Sequence, residues 1–512
     1  MAASSLCGFL DIRAAVPLLL LAAVAFYVLM EQLSYRRKKG PLPGPPLVVP
    51  FFGSIAQLIR DPPAYWDGLA ARAKASELGL SADYLLGTFV VFIRDTELSH
   101  RVLANVRPDA FHFIGHPFGK ELFGEHSLIY MSGPQGAEPR IAPNFTPRAL
   151  STYAAIQQRV ILAHLRRWLD RSAAEGGAKP VALRVPCRDM NLETSQTVFV
   201  GPYLSAEARE QFARDYNLFN VGLMAVPVDL LGFAFRRAKR GVARLLRTLA
   251  ECAGQSKARM RAGGEPACLM DYWMQDTLRE MDEAAGCSPP AHTGDEEIGG
   301  HVFDFLFAAQ DASTSSLCWA VSALDAHPDV LARVRAEVAA LWSSDSGEPI
   351  TAAQMAEMRY TKAVVARGDP APAPRDDGAA HRPRGVPADG AVHRAQGRHR
   401  VPVAVRVVVP GVPRPGGVRP GPLLLGGAPG GRGIPAQLPG FRRRGAPVVG
   451  QRYALNHLVL FVALLASLVE FRRDRTEGCD DLAYVPTIAP RDDCAVYLRQ
   501  RCAELPSFYL AS

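Results

Sequence analysis

From residue 366 to residue 447 the chain has no Lys, Glu, Ser, Thr, Asn, Tyr or Trp. Nucleic-acid-binding segments interleave lysines and stacking aromatics, so these absences argue against an RNA-binding insert, the literal reading of such a Pro/Gly/Arg-rich tract. What the 82 residues do contain is 14 Arg, 15 Pro, 16 Gly and 12 Ala. Those four residue types share codons that begin with two G or C bases, the composition expected of GC-rich coding sequence read in a wrong frame. The block also carries nearly all of the excess charge. Removing its 14 arginines and 4 acids from the 58 basic and 50 acidic residues of the whole leaves a remainder close to neutral. The net charge of +8 therefore does not call for a polyanionic partner.

Other absences narrow the class further. The nine cysteines show neither metal-ligand nor paired spacing, which excludes a disulfide scaffold and fits buried thiols in a reduced compartment. There is no internal repeat. With 512 residues and 48% hydrophobic content, the chain can bury a large core.

The N-terminus supplies a long apolar run. Residues 14–30, AAVPLLLLAAVAFYVLM, precede the basic cluster Arg36, Arg37, Lys38 and Lys39, with no convincing cleavage site between. This pattern predicts an uncleaved signal anchor, because a secretory peptide carries its basic residues before the apolar run. At ~1.5 Å per residue, seventeen residues are the short end of a spanning helix and suit a thin bilayer of the endoplasmic reticulum type. The basic cluster places the following chain on the cytosolic side. GPLPGPP, Gly40 to Pro46, cannot be helix or central strand and reads as a stiff elbow. The expected organisation is an anchor over 1–39, a Pro-rich hinge over 40–50 and one domain over 51–512.

Beyond the hinge, helical periodicity dominates. Helices are expected over 147–170, 206–220, 236–260, 299–326 and 328–342, and a strand over Thr88 to Asp95. Pro328 sits where a helix start tolerates it, and Thr351 and Gln354 have the spacing of a capping box. The most informative stretch is HVFDFLFAAQDASTSSLCW, 301–319, an apolar helix with Gln310, Asp311, Ser313, Thr314, Ser315 and Ser316 in its middle. Buried polar groups need partners or a task. Ser315 and Ser316 read as hydroxyls bonded back to the preceding turn. An acid beside hydroxyls facing a cavity can also relay protons to a bound oxygen species.

The anchor, the hinge, the helix AAQDAST, HPDVLARVRAEV, MRYTKAVV and GQRYALNHLVLF occur here in the order seen in cytochrome P450 haem-thiolate monooxygenases, which the chain resembles. Within that superfamily AAQDASTSS, APNFTPRALSTYA, VGQRYALNHL and TEGCDDLAYVPTIAPRDDCAVYL are similar to the plant sterol C-22 desaturase family, over most of 41–131, 140–366 and 449–505. The resemblance implies a mainly α fold with small β-sheets behind a single-pass membrane anchor. It implies haem b as cofactor, O2 and a sterol as substrates, and an NADPH-cytochrome P450 reductase as electron donor. It implies loss of two hydrogens from the sterol side chain to leave a C-22 alkene. Asp311 corresponds to the acid of the oxygen-activating helix, and because Ala312 stands at the usual alcohol position, a hydroxyl role falls to Ser313 or Thr314.

The same resemblance shows what is missing. The family places F-x-x-G-x-x-x-C-x-G before the GQRYA helix, its cysteine ligating the iron. Counting back from Gly450 puts Phe441 at the Phe position, Arg444 at the first Gly and Val448 at the cysteine. The Glu-x-x-Arg pair expected near Arg367 is replaced by RGDPAPAPRDD, and Glu138 falls where an Arg would contact a haem propionate. A frameshift over 366–447 accounts for the losses inside that block, Glu138 belongs to a separate, smaller anomaly at Ser132 to Pro139, and the sequence as it stands is expected to be inactive. The alternatives are another sterol or lipid hydroxylase, and a catalytically dead membrane-anchored protein.

Overall fold

A computed structural model of the chain describes residues 12–94, 98, 119–128, 142–283, 293–367 and 450–506, save for isolated positions. The block 368–447, with Phe441 and Val448, lies outside the described residues, as does Glu138.

Helix α1, Ile12–Lys39, contains the predicted apolar run and continues through the basic cluster. It stands clear of the body from Val16 to Met30, where nearly every side chain is exposed. The Pro-rich segment does not project from its end. It folds back along α1, with the Tyr35 hydroxyl donating to Pro45 O and Gln32 pairing with Val48 in both directions. Two short helices, α2 (Ile55–Arg60) and α3 (Pro62–Lys74), lead into a hairpin of β1 (Leu80–Leu85) and β2 (Thr88–Ile93). The hairpin turn is two residues, Leu86 and Gly87, both with positive φ, as a tight turn matched to strand twist requires. The predicted strand at 88–95 is thus found, and β1, whose LSADYL lacks β-branched residues, is the partner that periodicity did not show.

The helical body follows: α4 (Gly119–Phe123), α5 (Pro147–Ala174), α6 (Arg184–Ser195), α7 (Ala206–Leu223), α8 (Ala234–Arg261), α9 (Leu269–Glu283), α10 (Asp295–Ala326) and α11 (Pro328–Leu341). Next come α12 (Ala352–Glu357), α13 (Arg359–Arg367) and, past the block, α14 (Gln451–Leu468). The five predicted helices are all present within a few residues. Pro328 opens α11, and Thr351 and Gln354 form the reciprocal capping box of α12. Two β units close the chain. β3 (Val181–Ala182), β7 (Ala495–Gln500) and β4 (Val469–Arg473) form one antiparallel sheet, and β5 (Leu482–Val485) with β6 (Thr487–Pro490) forms a hairpin.

Among the described residues two helices are apolar enough to cross a membrane, and burial separates them. α14 is 72% buried against 6% for α1, so α14 is a core helix. It carries nine consecutive buried residues, Leu458 to Ala466, packed against α5, α10, α11 and α13. At about 1.5–3 kcal/mol per fully buried large aliphatic side chain, this one element supplies much of the lower core.

The C-terminal end of α10 is held by charge. Arg473 is completely buried, makes a two-pronged contact with Asp492 at 2.8 and 3.0 Å, and reaches Asp480 at 3.2 Å and Ala495 O at 3.0 Å. Asp480 in turn accepts from the Ser322 hydroxyl of α10, and Asp325 accepts from Arg473 N and Arg475. Removing a buried cation leaves its carboxylates unpaired, whereas an exposed pair contributes almost nothing. Arg473→Ala is therefore expected to cost about 3–5 kcal/mol. Arg148→Ala, which breaks the exposed pair with Glu265, should cost less than about 1 kcal/mol. Thermal melts of the two variants check the contrast, and equal melting temperatures would contradict it.

Candidate functional site

The polar run of α10 is a junction of three helices. Asn191 on α6 donates through Nδ2 to the Thr314 hydroxyl at 2.8 Å, and Thr314 donates back to Gln310 O at 2.8 Å. His457 on α14 meets Asn191 Oδ1 at 2.9 Å. A carboxamide oxygen only accepts, so His457 must carry its proton on Nε2. Burial holds the His457 pKa down at about 4, below its ordinary 6.5, so the ring is neutral. Neither Asn191 nor His457 was singled out in the sequence, although Asn191 lies seven residues after Arg184, close to two helical turns, as a residue sharing one helix face would.

The four hydroxyls of the run diverge. Ser316 bonds back to Ala312 O at 2.9 Å, as expected. Ser315 does not bond back. Its hydroxyl crosses to Ile488 O on β6, which Trp319 Nε1 also reaches, so the side chain fastens the hairpin to the helix. The preceding turn lost because β6 lies within reach. Ser313 is buried.

Asp311 and Thr314 line one small cavity of about 40 Å³ with Arg184, Arg188, Asn220 and Thr487. That volume holds a water molecule or a few, and the lining is polar enough to keep one. Burial raises the Asp311 pKa above the usual carboxylate range, and the nearby Arg188 and Arg184 guanidinium groups oppose the rise. The two arginines differ in freedom. Arg184 is clamped on Asp493 at 2.5 and 3.3 Å, whereas Arg188 has a looser pairing with Asp189, 3.9 Å away. Arg184 and Arg188 were not flagged in the sequence; their i, i+4 spacing in RVPCRDMN was the signal available. Ser313 is not part of this lining.

On another side α10 opens. Although most of the helix is buried, Ala308 is exposed, and Phe305, Phe307, Ala309 and Ala312 are half-buried. Gly450, the N-cap of α14, has open space where a Cβ would stand. Small residues beside open space fit a flat apolar macrocycle. The donor set does not complete the fit. Cys252, Cys268, Cys318, Cys479, Cys494 and Cys502 all have thiols pushed up in pKa, chiefly by burial or a neighbouring thiol. Cys187 is fully buried in the core beside Cys318. None of the described cysteines offers an accessible thiolate, and none is in a disulfide. Among the described cysteines the buried-thiol expectation holds for all but Cys502, which is half-buried. Asn144, which opens the N-F-T pattern of an N-glycosylation sequon, is buried.

Comparisons with known proteins extend these observations. The family profile described as Cytochrome P450 matches residues 43–366 and stops where the aberrant block starts. The chain is 48% identical over 509 residues to cytochrome P450 710A2 of Arabidopsis thaliana, covering 95% of this chain and 97% of that protein. It is 31% identical over 361 residues to a C-22 sterol desaturase, ERG5A, of Gibberella zeae, covering 67% of this chain and 65% of that one. A retinoic-acid-bound cyanobacterial CYP120A1 structure superposes with a TM-score of 0.61 at 17% identity, over 90% of this chain and 99% of that one.

Acid should loosen two contacts in separate windows, the α10 junction through His457 and the α5–α6 pairing through Glu193. His457 binds fewer protons folded than unfolded between pH 6.5 and about 4, so its contribution is full above pH 6.5 and lost as pH falls toward 4. Glu193, desolvated but held down to about 2 by His164 and Arg167, loses its contribution between pH 4.5 and 2. The first window is worth up to about 3 kcal/mol. His457→Gln, which keeps a donor that cannot titrate, should flatten the melting temperature between pH 6.5 and 4.5. An unchanged slope would contradict the assignment.

Proposed function

Because the chain belongs to the cytochrome P450 family, whose members are haem-dependent monooxygenase-type oxidoreductases, we propose that its locus encodes a sterol C-22 desaturase, in which Asp311 is the proton-handling acid. The substrate reading rests on the 31% identity to ERG5A and on the motifs shared with plant C-22 desaturases. The electron donor is an NADPH-cytochrome P450 reductase, and α1 anchors the protein in the endoplasmic reticulum membrane with its body in the cytosol.

Haem, when bound, supplies the reduction and activation of O2. Ala308, Ala309 and Ala312 of α10 and Gly450 at the start of α14 offer it room. Asp311 is partly desolvated, which brings its pKa toward the working pH, and Arg188 keeps its ionised form accessible. Water in the 40 Å³ cavity reaches Asp311 and Thr314 together. Thr314 is fixed by Asn191 and Gln310 O, so its hydroxyl can offer a lone pair to that water but is not free to rotate. Ser313, one residue closer to Ala312, is the alternative hydroxyl. Phe441, by register only, belongs to the loop before Gly450.

Val448 supports a second reading of the polypeptide as it stands. With valine at the ligand position and no described cysteine able to substitute, this chain is a catalytically silent relative whose frame was shifted over 366–447. The two readings are tested side by side, using the chain as printed and a version with the coding frame restored. The printed chain, reconstituted with haem and reduced under carbon monoxide, should lack the red-shifted Soret band of thiolate ligation. The restored version should show it and convert a sitosterol-type sterol to its C-22 alkene. A thiolate band from the printed chain would overturn the silent reading, and a hydroxylated product from the restored one would overturn the desaturase assignment.

A further inference from the structure

The apolar run of α1 is at the short limit for the task assigned to it. Residues 14–30 cover about 25 Å as helix, less than the ~27 Å hydrocarbon layer of a thin bilayer. The next residues, Glu31 and Gln32, would end the span, since a carboxylate in hydrocarbon is costly. In the folded chain neither side chain is offered to the surroundings. The Glu31 carboxylate is only 8% exposed, and accepts from the Phe51 amide at 3.0 Å, the Tyr84 hydroxyl at 2.8 Å and the Tyr27 hydroxyl at 3.4 Å. Gln32 donates to Val48 O at 2.7 Å and accepts from Val48 N at 3.1 Å.

The segment that covers these two polar groups shows an apolar outer surface in their place. Leu47, Val49, Phe51 and Phe52 are 61, 59, 48 and 55% exposed, while Val48 between them is buried. Pairing with Glu31 and Gln32 sets all four within about one turn of the point where the apolar run ends. Phe51 has φ of 59°, a conformation that costs a bulky residue of order 1–3 kcal/mol. The backbone is held there by Glu31 on the amide and by Gly87 N donating to Phe51 O at 2.6 Å, and the half-exposed ring lies over the Gly87 turn and against Phe52, 5.4 Å between centroids. Arg36, Arg37 and Lys38 follow about 8 Å further along the helix and are exposed, the spacing expected between the glycerol region and lipid phosphates.

We propose that residues 47–52 form a lipid-facing collar that sits in the acyl–glycerol zone of the bilayer, with Glu31 and Gln32 as the positioning residues that hold it there. The collar carries the apolar span through Leu33, to about 30 Å. It also fixes the height of the body on the membrane, because the anchor and the body share hydrogen bonds at this turn. This inference rests on α1 being a membrane span.

The test uses the full chain in phosphatidylcholine vesicles, with a small fluorescent amino acid placed singly at Leu29, Phe52 or the exposed Ser346, and nitroxide-labelled lipids as depth-specific quenchers. Leu29 should be quenched most by nitroxides deep in the acyl chain, Phe52 by those near the glycerol end, and Ser346 by neither. Glu31→Ala, which releases the Phe51 amide and Tyr84, should remove most of the quenching at Phe52 and leave Leu29 unchanged. Quenching at Leu29 with Phe52 as dark to lipid as Ser346 would overturn the collar while leaving the anchor standing. No quenching at Leu29 would remove the anchor, and the collar with it. Quenching at Phe52 that survives Glu31→Ala would overturn the positioning role of Glu31.

Discussion

A helix that buries glutamine, aspartate, serine and threonine in its middle must find each of them a partner, and the rest of the body is arranged around that requirement on α10. Near its N-terminal third, Asp304 accepts from the Ser127 hydroxyl and the Leu128 amide. In the middle, Asn191 and His457 bring α6 and α14 to Thr314. At its end, Ser322 and Asp325 tie it to the Arg473 cluster and thereby to β4 and the turn before β7. Each contact joins residues far apart in sequence, so the three together fix the order in which helices pack as well as the position of α10 itself.

Those constraints explain what the sequence did and did not disclose. Helices α5, α7, α8 and α11 were legible because each alternates buried and exposed positions with the 3.6-residue period over three turns or more, and α10 because of its length and apolar content. α6 and α9 were missed: RVPCRDMNLETS has only two large aliphatic residues to mark a face, and LMDYWMQDTLREMDE mixes acids with aromatics. Asp311 could be picked out as an acid in an apolar helix, but its arginine neighbours could not, because they come from an element more than a hundred residues earlier. The elbow reading of Gly40 to Pro46 was silent about direction. Proline forbids helix, yet only the Gln32 and Tyr35 hydrogen bonds decide that the segment doubles back.

A further asymmetry concerns the two faces of α10. On the side of Asp311 the structure is complete, with a lined cavity, two arginines and a clamped threonine. On the side of Ala308 the helix is exposed. A family match ending at residue 366 and a helix α14 that packs as a family helix should bracket a segment of matching character. Its composition is instead dominated by Arg, Pro, Gly and Ala. Helices α13 and α14, which flank the block, share one core through Val365, Leu458 and their neighbours.

The most direct measurement is the DNA sequence of the locus across the codons for residues 360–455, translated in all three frames. The account predicts that one alternative frame encodes a Glu-x-x-Arg pair near residue 367 and a cysteine in place of Val448, joined at both ends to the printed frame. If neither alternative frame contains them, the block is what the gene specifies, and the frameshift account is wrong.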